Sequence, residues 1–192
     1  MAKKQEFRPD KPKSSILSHL ILTRKQQKTL LKWVFYTLLL ILISVIQDVL
    51  LSQVRVAGAT TELIPCAIFL ICLLEGTETG SIFTLVASLL YLFSGTAPGP
   101  YSMVAITFYG IGVCAFRQAY LQETFSSALL CTSVAMVLYE VTNFLFGLFL
   151  GLTPLSRFYG FFITAGLSLL SAPILYPIMK AIGAFGGYQW KE

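Results

Sequence analysis

The chain has 192 residues, of which 56% are hydrophobic and only 12% are charged. Soluble domains carry about 25% charged residues, which cover the surface that faces water. This chain has too few charges for such a surface, and its apolar content excludes a disordered chain. The composition therefore predicts an all-α, polytopic membrane protein.

The basic residues are concentrated at the N-terminus. The first 32 residues hold nine Lys and Arg against two acidic residues, a net charge of +7, whereas the other 160 residues carry −2. Because this segment directly precedes an apolar run, it indicates a cytoplasmic flank beside anionic lipid and argues against nucleic-acid binding. Residues 1–32 are predicted to form a basic tail, in which Ser15–Lys32 is either an interfacial helix or a solvated linker.

Six apolar segments follow, and each is predicted to cross the membrane as a helix. The cluster Gly95-Thr-Ala-Pro-Gly-Pro100 separates the third segment from the fourth. The short segment Gly76–Gly80 is interpreted as a tight cytoplasmic turn. The predicted spans are Trp33–Ser52, Leu63–Leu74 (Thr60–Thr79 if it crosses completely), Gly80–Ser94, Tyr101–Phe116, Phe125–Leu150 and Phe158–Met179. Residues 33–180 are expected to form one compact six-helix bundle, and residues 181–192 a short cytoplasmic tail.

The distribution of Lys and Arg predicts the orientation of the bundle. With the N-terminus inside, twelve of the 14 basic residues lie on the cytoplasmic side, and only Arg55 and Arg157 lie outside. The opposite orientation would violate the positive-inside rule. An even number of spans then places both termini in the cytoplasm.

Glu140 is the clearest polar residue inside a predicted span. A charged side chain at the bilayer centre costs about 3 kcal/mol on insertion scales, so such residues face the bundle interior or a partner. By the 3.6-residue period, Glu140 shares one stripe with Asn143, Gly147 and Gly151. Two interpretations remain open: contact with a partner helix or polar ligand, or a carboxyl group satisfied within the bundle.

Gln47 and Asp48 lie late in the first span, close to its predicted outer end. They are either further contacts for a partner or the polar end of a helix at the lipid headgroups. Glu62 and Glu75 are likewise interpreted as residues at the ends of spans.

Small residues recur at every fourth position of the last span, where Gly160, Thr164, Ser168 and Ala172 line one face. Small residues let helix backbones approach closely in lipid. We therefore expect this face, together with Gly147 and Gly151 of the stripe that contains Glu140, to pack against helices, mostly within the chain and alternatively against a partner.

Motifs for catalysis, metals and cofactors are missing from the sequence. His19 is the only histidine, and the four Cys lie singly in apolar segments, whereas a structural zinc site needs four ligands. Neither a P-loop nor a G-x-G-x-x-G fingerprint occurs. The sequence predicts a protein that is not an enzyme and uses no metal or cofactor.

The order of these features resembles the MreD family, the rod-shape-determining membrane proteins of bacteria. The resemblance extends over roughly residues 38–180 and is carried by short motifs, none of which is specific alone. Tyr91 departs from the family pattern, which often has an acidic residue there. The matching motifs are Gln47, Glu62-Leu63, Ser94-Gly95 with Pro98-Gly99, Tyr139-Glu140, and Ala172-Pro173 with Tyr176-Pro177 and Lys180.

The resemblance implies a non-enzymatic component of the cell-wall elongation complex in the bacterial inner membrane. Its expected partners are the bitopic protein MreC, the actin-like MreB, the glycosyltransferase RodA and a class B penicillin-binding protein. The basic N-terminus is expected to contact anionic lipid.

A different class of protein is the main alternative. Substrate-binding subunits of energy-coupling-factor vitamin transporters are also six-helix proteins of about this size. Their first helix usually carries an Ala-x-x-x-Ala docking face, whereas Trp33–Ser52 contains no Ala. A shared bundle shape between the two families is a further hypothesis.

Overall fold

The structure, a computed structural model, describes residues 24–53, 59–120 and 124–185. These residues form six α-helices and two short 3-10 helices, Leu51–Gln53 and Leu155–Arg157. The all-α class predicted from the composition is confirmed. The six helices are α1 (Arg24–Val49), α2 (Leu63–Glu75), α3 (Thr77–Phe93), α4 (Pro100–Tyr120), α5 (Phe125–Phe149) and α6 (Phe158–Phe185).

Helix α2 lies at the centre of the fold and contacts all five other helices. Its sequence, LIPCAIFLICLLE, has no polar face, so no side of this helix is suited to water. Every residue from Ile64 to Leu73 is buried. The core of the protein is therefore one short apolar helix with the other helices around it.

The two ends of α2 define the two ends of the helical fold, which we call the Glu62 end and the Glu75 end. Helix α1 runs from the Glu75 end, where Lys32 contacts Glu75, to the Glu62 end, where Gln47 contacts Leu63. Helix α3 runs in the same direction as α1, because its Tyr91 reaches Glu62.

Helices α4 and α6 run back in the opposite direction. A Cβ atom at Gly76 would lie 3.1 Å from Nη1 of Arg117, which places the last turns of α4 at the Glu75 end. In α6, Ser168 contacts the backbone of Glu62, and the later residue Met179 contacts Tyr36 near the Glu75 end. The helices therefore alternate in direction.

The structure differs from the predicted boundaries at the Glu75 end. Gly76–Gly80 is not a turn: Gly76 alone separates α2 from α3, with a φ of 89° that favours glycine, and Thr77 already begins α3. Residues 24–32 are the first turns of α1, not a separate interfacial helix or linker. The remainder of the predicted tail, before Arg24, lies outside the described residues.

Three helical segments of the described chain are long and apolar enough to cross a membrane. They are Gln27–Val49, Phe125–Phe149 and Leu155–Phe185. Helices α2 and α3 are apolar as well but have only 13 and 17 residues. The chain therefore has the character of a membrane protein.

The predicted small-residue face of α6 is only partly used inside the chain. Thr164, Ser168 and Ala172 are buried. At Gly160, by contrast, a Cβ atom would meet nothing within 4 Å, so the face does not continue to this residue.

Gly147 of α5 and Gly151, which follows the end of α5, have different roles. Gly147 is buried, and a Cβ atom there would lie 2.7 Å from Oγ1 of Thr153, so this position requires close approach. Gly151 is exposed with a φ of 70°, and its surroundings are open. Gly151 therefore serves the turn after α5 and is no part of a packing face within the chain.

Side chains from other helices satisfy the backbone at the beginning of α2. Oε1 of Gln47 accepts hydrogen bonds from the amides of Leu63 and Ile64, at 2.8 and 3.1 Å. Oγ of Ser168 accepts from the amide of Glu62 at 2.8 Å. The first amides of a helix have no partner within it, and a buried amide needs an acceptor, so these side chains supply what the helix itself lacks.

We predict that Gln47→Leu destabilises the protein by about 1–3 kcal/mol, because the amides of Leu63 and Ile64 lose their acceptor. Thermal unfolding in mild detergent measures the change. Gln53→Leu is the matched control, since Gln53 is exposed beyond the end of α1 and should tolerate the same substitution. Equal melting temperatures for the two variants would show that Gln47 is dispensable.

Candidate functional site

The Glu62 end contains a cluster of polar side chains from three helices. Glu62 is the residue before α2, and its Oε2 accepts hydrogen bonds from the hydroxyls of Tyr91 in α3 and Tyr139 in α5, both at 3.3 Å. Tyr91 and Tyr139 are buried, and the ring of Tyr139 contacts Phe69 of α2 edge-on. One carboxylate therefore ties α2, α3 and α5 together.

Glu140 follows Tyr139 on α5 and is only 2% exposed. Its Oε1 is buried and has no hydrogen-bond partner among the described residues. Asn143, one turn further along α5, is also buried. The interpretation of Glu140 as a carboxyl group satisfied within the bundle is therefore not supported for this oxygen.

Glu62 and Glu140 line the same cavity, which has a volume of about 470 Å³. This size is within the usual range of small-molecule sites, about 300–1,000 Å³. The cavity lies between the chain that leads into α2, the 3-10 helix before α6, and the beginning of α6. The other lining residues include Thr60, Ser156, Arg157, Tyr159, Phe161 and Thr164.

The charges around this cavity are of both signs. An ionised carboxylate accepts hydrogen bonds and cannot donate them. Glu62 and Glu140 therefore favour a ligand that is positively charged or donates hydrogen bonds. Arg157 lines the same cavity as an exposed donor, and a guanidinium favours an anion. Within the described residues, no group of three His, Cys, Asp or Glu is placed to hold a metal ion.

The Glu75 end contains a second polar cluster, which is completely satisfied. Lys32 and Glu75 form an ion pair, and both are more than nine-tenths buried. The hydroxyl of Tyr36 lies 2.8 Å from Oε1 of Glu75 and 3.2 Å from the carbonyl of Met179. The cluster therefore links α1, α2 and α6.

Of the four polar residues predicted as contacts, the structure brings only Glu140 and Asn143 onto one buried face. Gln47 is occupied with the backbone of α2, and Asp48 is half-buried near the end of α1. Sequence reasoning missed the Lys32–Glu75 pair. The sequence contained a signal for this pair. Lys32 stands directly before the first predicted span and Glu75 directly after the second, so the two opposite charges lie on the same predicted side of the membrane.

Comparison with known proteins does not assign this chain to a family. No family model matches it. Searches among curated proteins and among solved structures also find no match.

The Lys32–Glu75 pair can be tested with a double-mutant cycle. We predict that Glu75→Gln costs about 3–5 kcal/mol of stability, because it leaves the buried ammonium of Lys32 without its counter-charge. Adding Lys32→Met should recover most of that loss. Unfolding of the two single variants and the double variant in detergent measures the coupling. Additive losses would mean that the pair contributes no coupling.

We predict that Glu140→Leu stabilises the protein by about 1–3 kcal/mol in detergent without added lipid. The substitution removes a buried oxygen that has no hydrogen-bond partner and replaces it with an apolar group of similar size. Thermal unfolding measures the effect beside Gln47→Leu, which should change stability in the opposite direction. A strong loss of stability in Glu140→Leu would reveal a structural role for the carboxyl group.

Proposed function

We propose that this protein is a non-enzymatic component of the bacterial cell-wall elongation complex, similar to MreD, which holds MreC and other elongation proteins together. The observation that supports this most directly is the convergence of the motifs behind the resemblance. Gln47 caps α2, Glu62 precedes α2, and Tyr139 bonds to Glu62 beside Glu140. Residues far apart in sequence therefore meet at the Glu62 end, where they hold the beginning of α2.

We further propose that all six helices cross the inner membrane and that the Glu75 end is cytoplasmic. The alternating helix directions are consistent with six crossings. Among the described residues, Arg157 is the only basic residue at the Glu62 end, whereas Lys32, Arg117 and Lys180 lie on the turns that approach the Glu75 end. The positive-inside rule then favours a cytoplasmic Glu75 end with both termini inside, where the basic N-terminal segment would contact anionic lipid.

The outward face of α6 is the proposed docking surface for the single transmembrane helix of MreC. Phe162, Gly166, Leu170 and Ile174 follow each other at four-residue spacing, opposite the buried stripe that contains Ser168. All four are exposed, and a Cβ atom at Gly166 would meet nothing within 4 Å. Glycine on an open apolar face allows a second helix to approach closely in lipid.

Pro173 and Pro177 are exposed on the same helix. Proline has no amide hydrogen, so each leaves a backbone carbonyl one turn earlier without its usual donor. A polar side chain on a neighbouring helix can supply that hydrogen bond in a membrane.

MreB, RodA and the class B penicillin-binding protein would then join through the complex that MreC forms.

A second candidate function is that of a substrate-binding subunit of an energy-coupling-factor transporter. The cavity at the Glu62 end favours it, because its volume suits a vitamin-sized ligand. Co-purification with a transporter energizing module, instead of MreC, would distinguish this candidate from the first.

The docking surface is tested by retention of MreC in a mild-detergent pull-down. We predict that Gly166→Leu reduces the retained MreC about tenfold or more, because a bulky side chain that blocks close packing costs about 1–3 kcal/mol. Depletion of the protein should also abolish rod shape, and Gly166→Leu should not restore it.

Gly112→Leu is the matched control. Gly112 is also exposed, on α4, and a Cβ atom there would also meet nothing within 4 Å. It should retain MreC. If MreC never co-purifies with the unaltered protein, the proposed function is wrong, whereas an equal effect of both variants would reject only the choice of α6.

A further inference from the structure

The cavity at the Glu62 end contains a buried group that the fold itself leaves without a partner. Glu140 is 2% exposed, and its Oε1 has no hydrogen-bond partner among the described residues. At the Glu75 end, in contrast, both carboxylate oxygens of Glu75 have partners. Buried polar groups are nearly always hydrogen-bonded, so an unpartnered oxygen beside a cavity points to something that enters the cavity.

The charges of the lining define the chemical class of that ligand. Glu140 and Glu62 supply two carboxyl groups, which suit an ammonium group with several N–H donors. Arg157 lines the same cavity and is exposed, so it suits an anionic group that remains near solvent. The hydroxyl groups of Thr60 and Ser156 can donate or accept hydrogen bonds at either end of the ligand.

We propose that this cavity binds a primary ammonium group joined to a nearby phosphate, with the ammonium at Glu140 and Glu62 and the phosphate at Arg157. Phosphoethanolamine has this chemistry, either as the headgroup of a membrane lipid or as a free compound. The cavity volume of about 470 Å³ accommodates such a group. The ligand is independent of the proposed docking of MreC, which concerns the outward face of α6.

Binding would also offset the negative charge of the buried carboxyl group of Glu140. An ammonium donor beside Glu140 neutralises the charge of its carboxyl group in a region of low dielectric. If the source is a lipid, its acyl chains stay in the bilayer beside the beginning of α6, where Tyr159 is exposed.

Native mass spectrometry of the full-length protein tests the proposal directly. The delipidated protein is mixed with phosphatidylethanolamine, phosphatidylcholine or phosphatidylglycerol of identical acyl chains. Phosphatidylethanolamine should be retained about tenfold more than the other two, because the choline lipid has no N–H donor and the glycerol lipid has no cation. Equal retention of all three lipids would overturn the proposal.

Variants locate the bound lipid. Glu140→Gln should reduce phosphatidylethanolamine retention about tenfold, since it removes the charge but preserves the size of the side chain. Glu78→Gln is the matched control: Glu78 is exposed on α3 at the Glu75 end, and retention should not change. Unchanged retention in Glu140→Gln would overturn the proposal.

Two further measurements complete the test. Arg157→Gln should also lower retention, whereas an increase would show that Arg157 competes for the carboxylates and would overturn the role of Arg157. Thermal unfolding of each variant without lipid confirms that it is folded.

The source of the ligand is decided by a titration with free phosphoethanolamine, followed by calorimetry. Binding that is lost in Glu140→Gln supports a soluble ligand. Selective retention of the lipid without binding of the free compound supports a lipid headgroup. If neither the lipid nor the free compound shows a dependence on Glu140, the site does not exist.

Discussion

The rest of the structure depends on the complete burial of one short helix. Helix α2 has no polar face and contacts every other described helix, and all its residues from Ile64 to Leu73 are buried. A helix ends with unpaired backbone groups, and here those groups must be satisfied by other helices. Gln47 and Ser168 do this at one end, while Lys32 and Tyr36 bind the side chain of Glu75 at the other. The positions of α1 and α6 follow from these contacts.

Buried carboxyl groups have different partners at the two ends of the fold. Glu75 has a lysine and a tyrosine as partners, and its cluster holds three helices together. Glu62 has two tyrosines, but Glu140 beside it has a buried oxygen without a hydrogen-bond partner among the described residues. The Glu75 end is therefore suited to a structural role. The Glu62 end, which also contains the cavity, is suited to recognition, because an unsatisfied carboxyl group favours whatever can neutralise it.

Much of the secondary structure could be predicted, because the helices coincide with apolar runs that short segments of helix-breaking residues separate. Phe125–Phe149 ends within one residue of the predicted span. The errors occur where a boundary depends on tertiary contacts. Gly76–Gly80 contains turn-forming residues, yet all but Gly76 are helical, since α3 packs closely against α2 and α4. The predicted face from Gly160 to Ala172 is likewise buried at Thr164, Ser168 and Ala172 but open at Gly160.

The sequence by itself determined the helical class, the membrane character and the concentration of positive charge at one terminus, because these follow from composition and local order. It also identified Glu140 as a residue that needs an explanation. Only the tertiary structure decided that Gln47 caps α2, that Lys32 pairs with Glu75, and that Tyr91 reaches Glu62. Each of these contacts joins residues from different helices, and one-dimensional periodicity shows which face a side chain occupies but not which helix lies opposite.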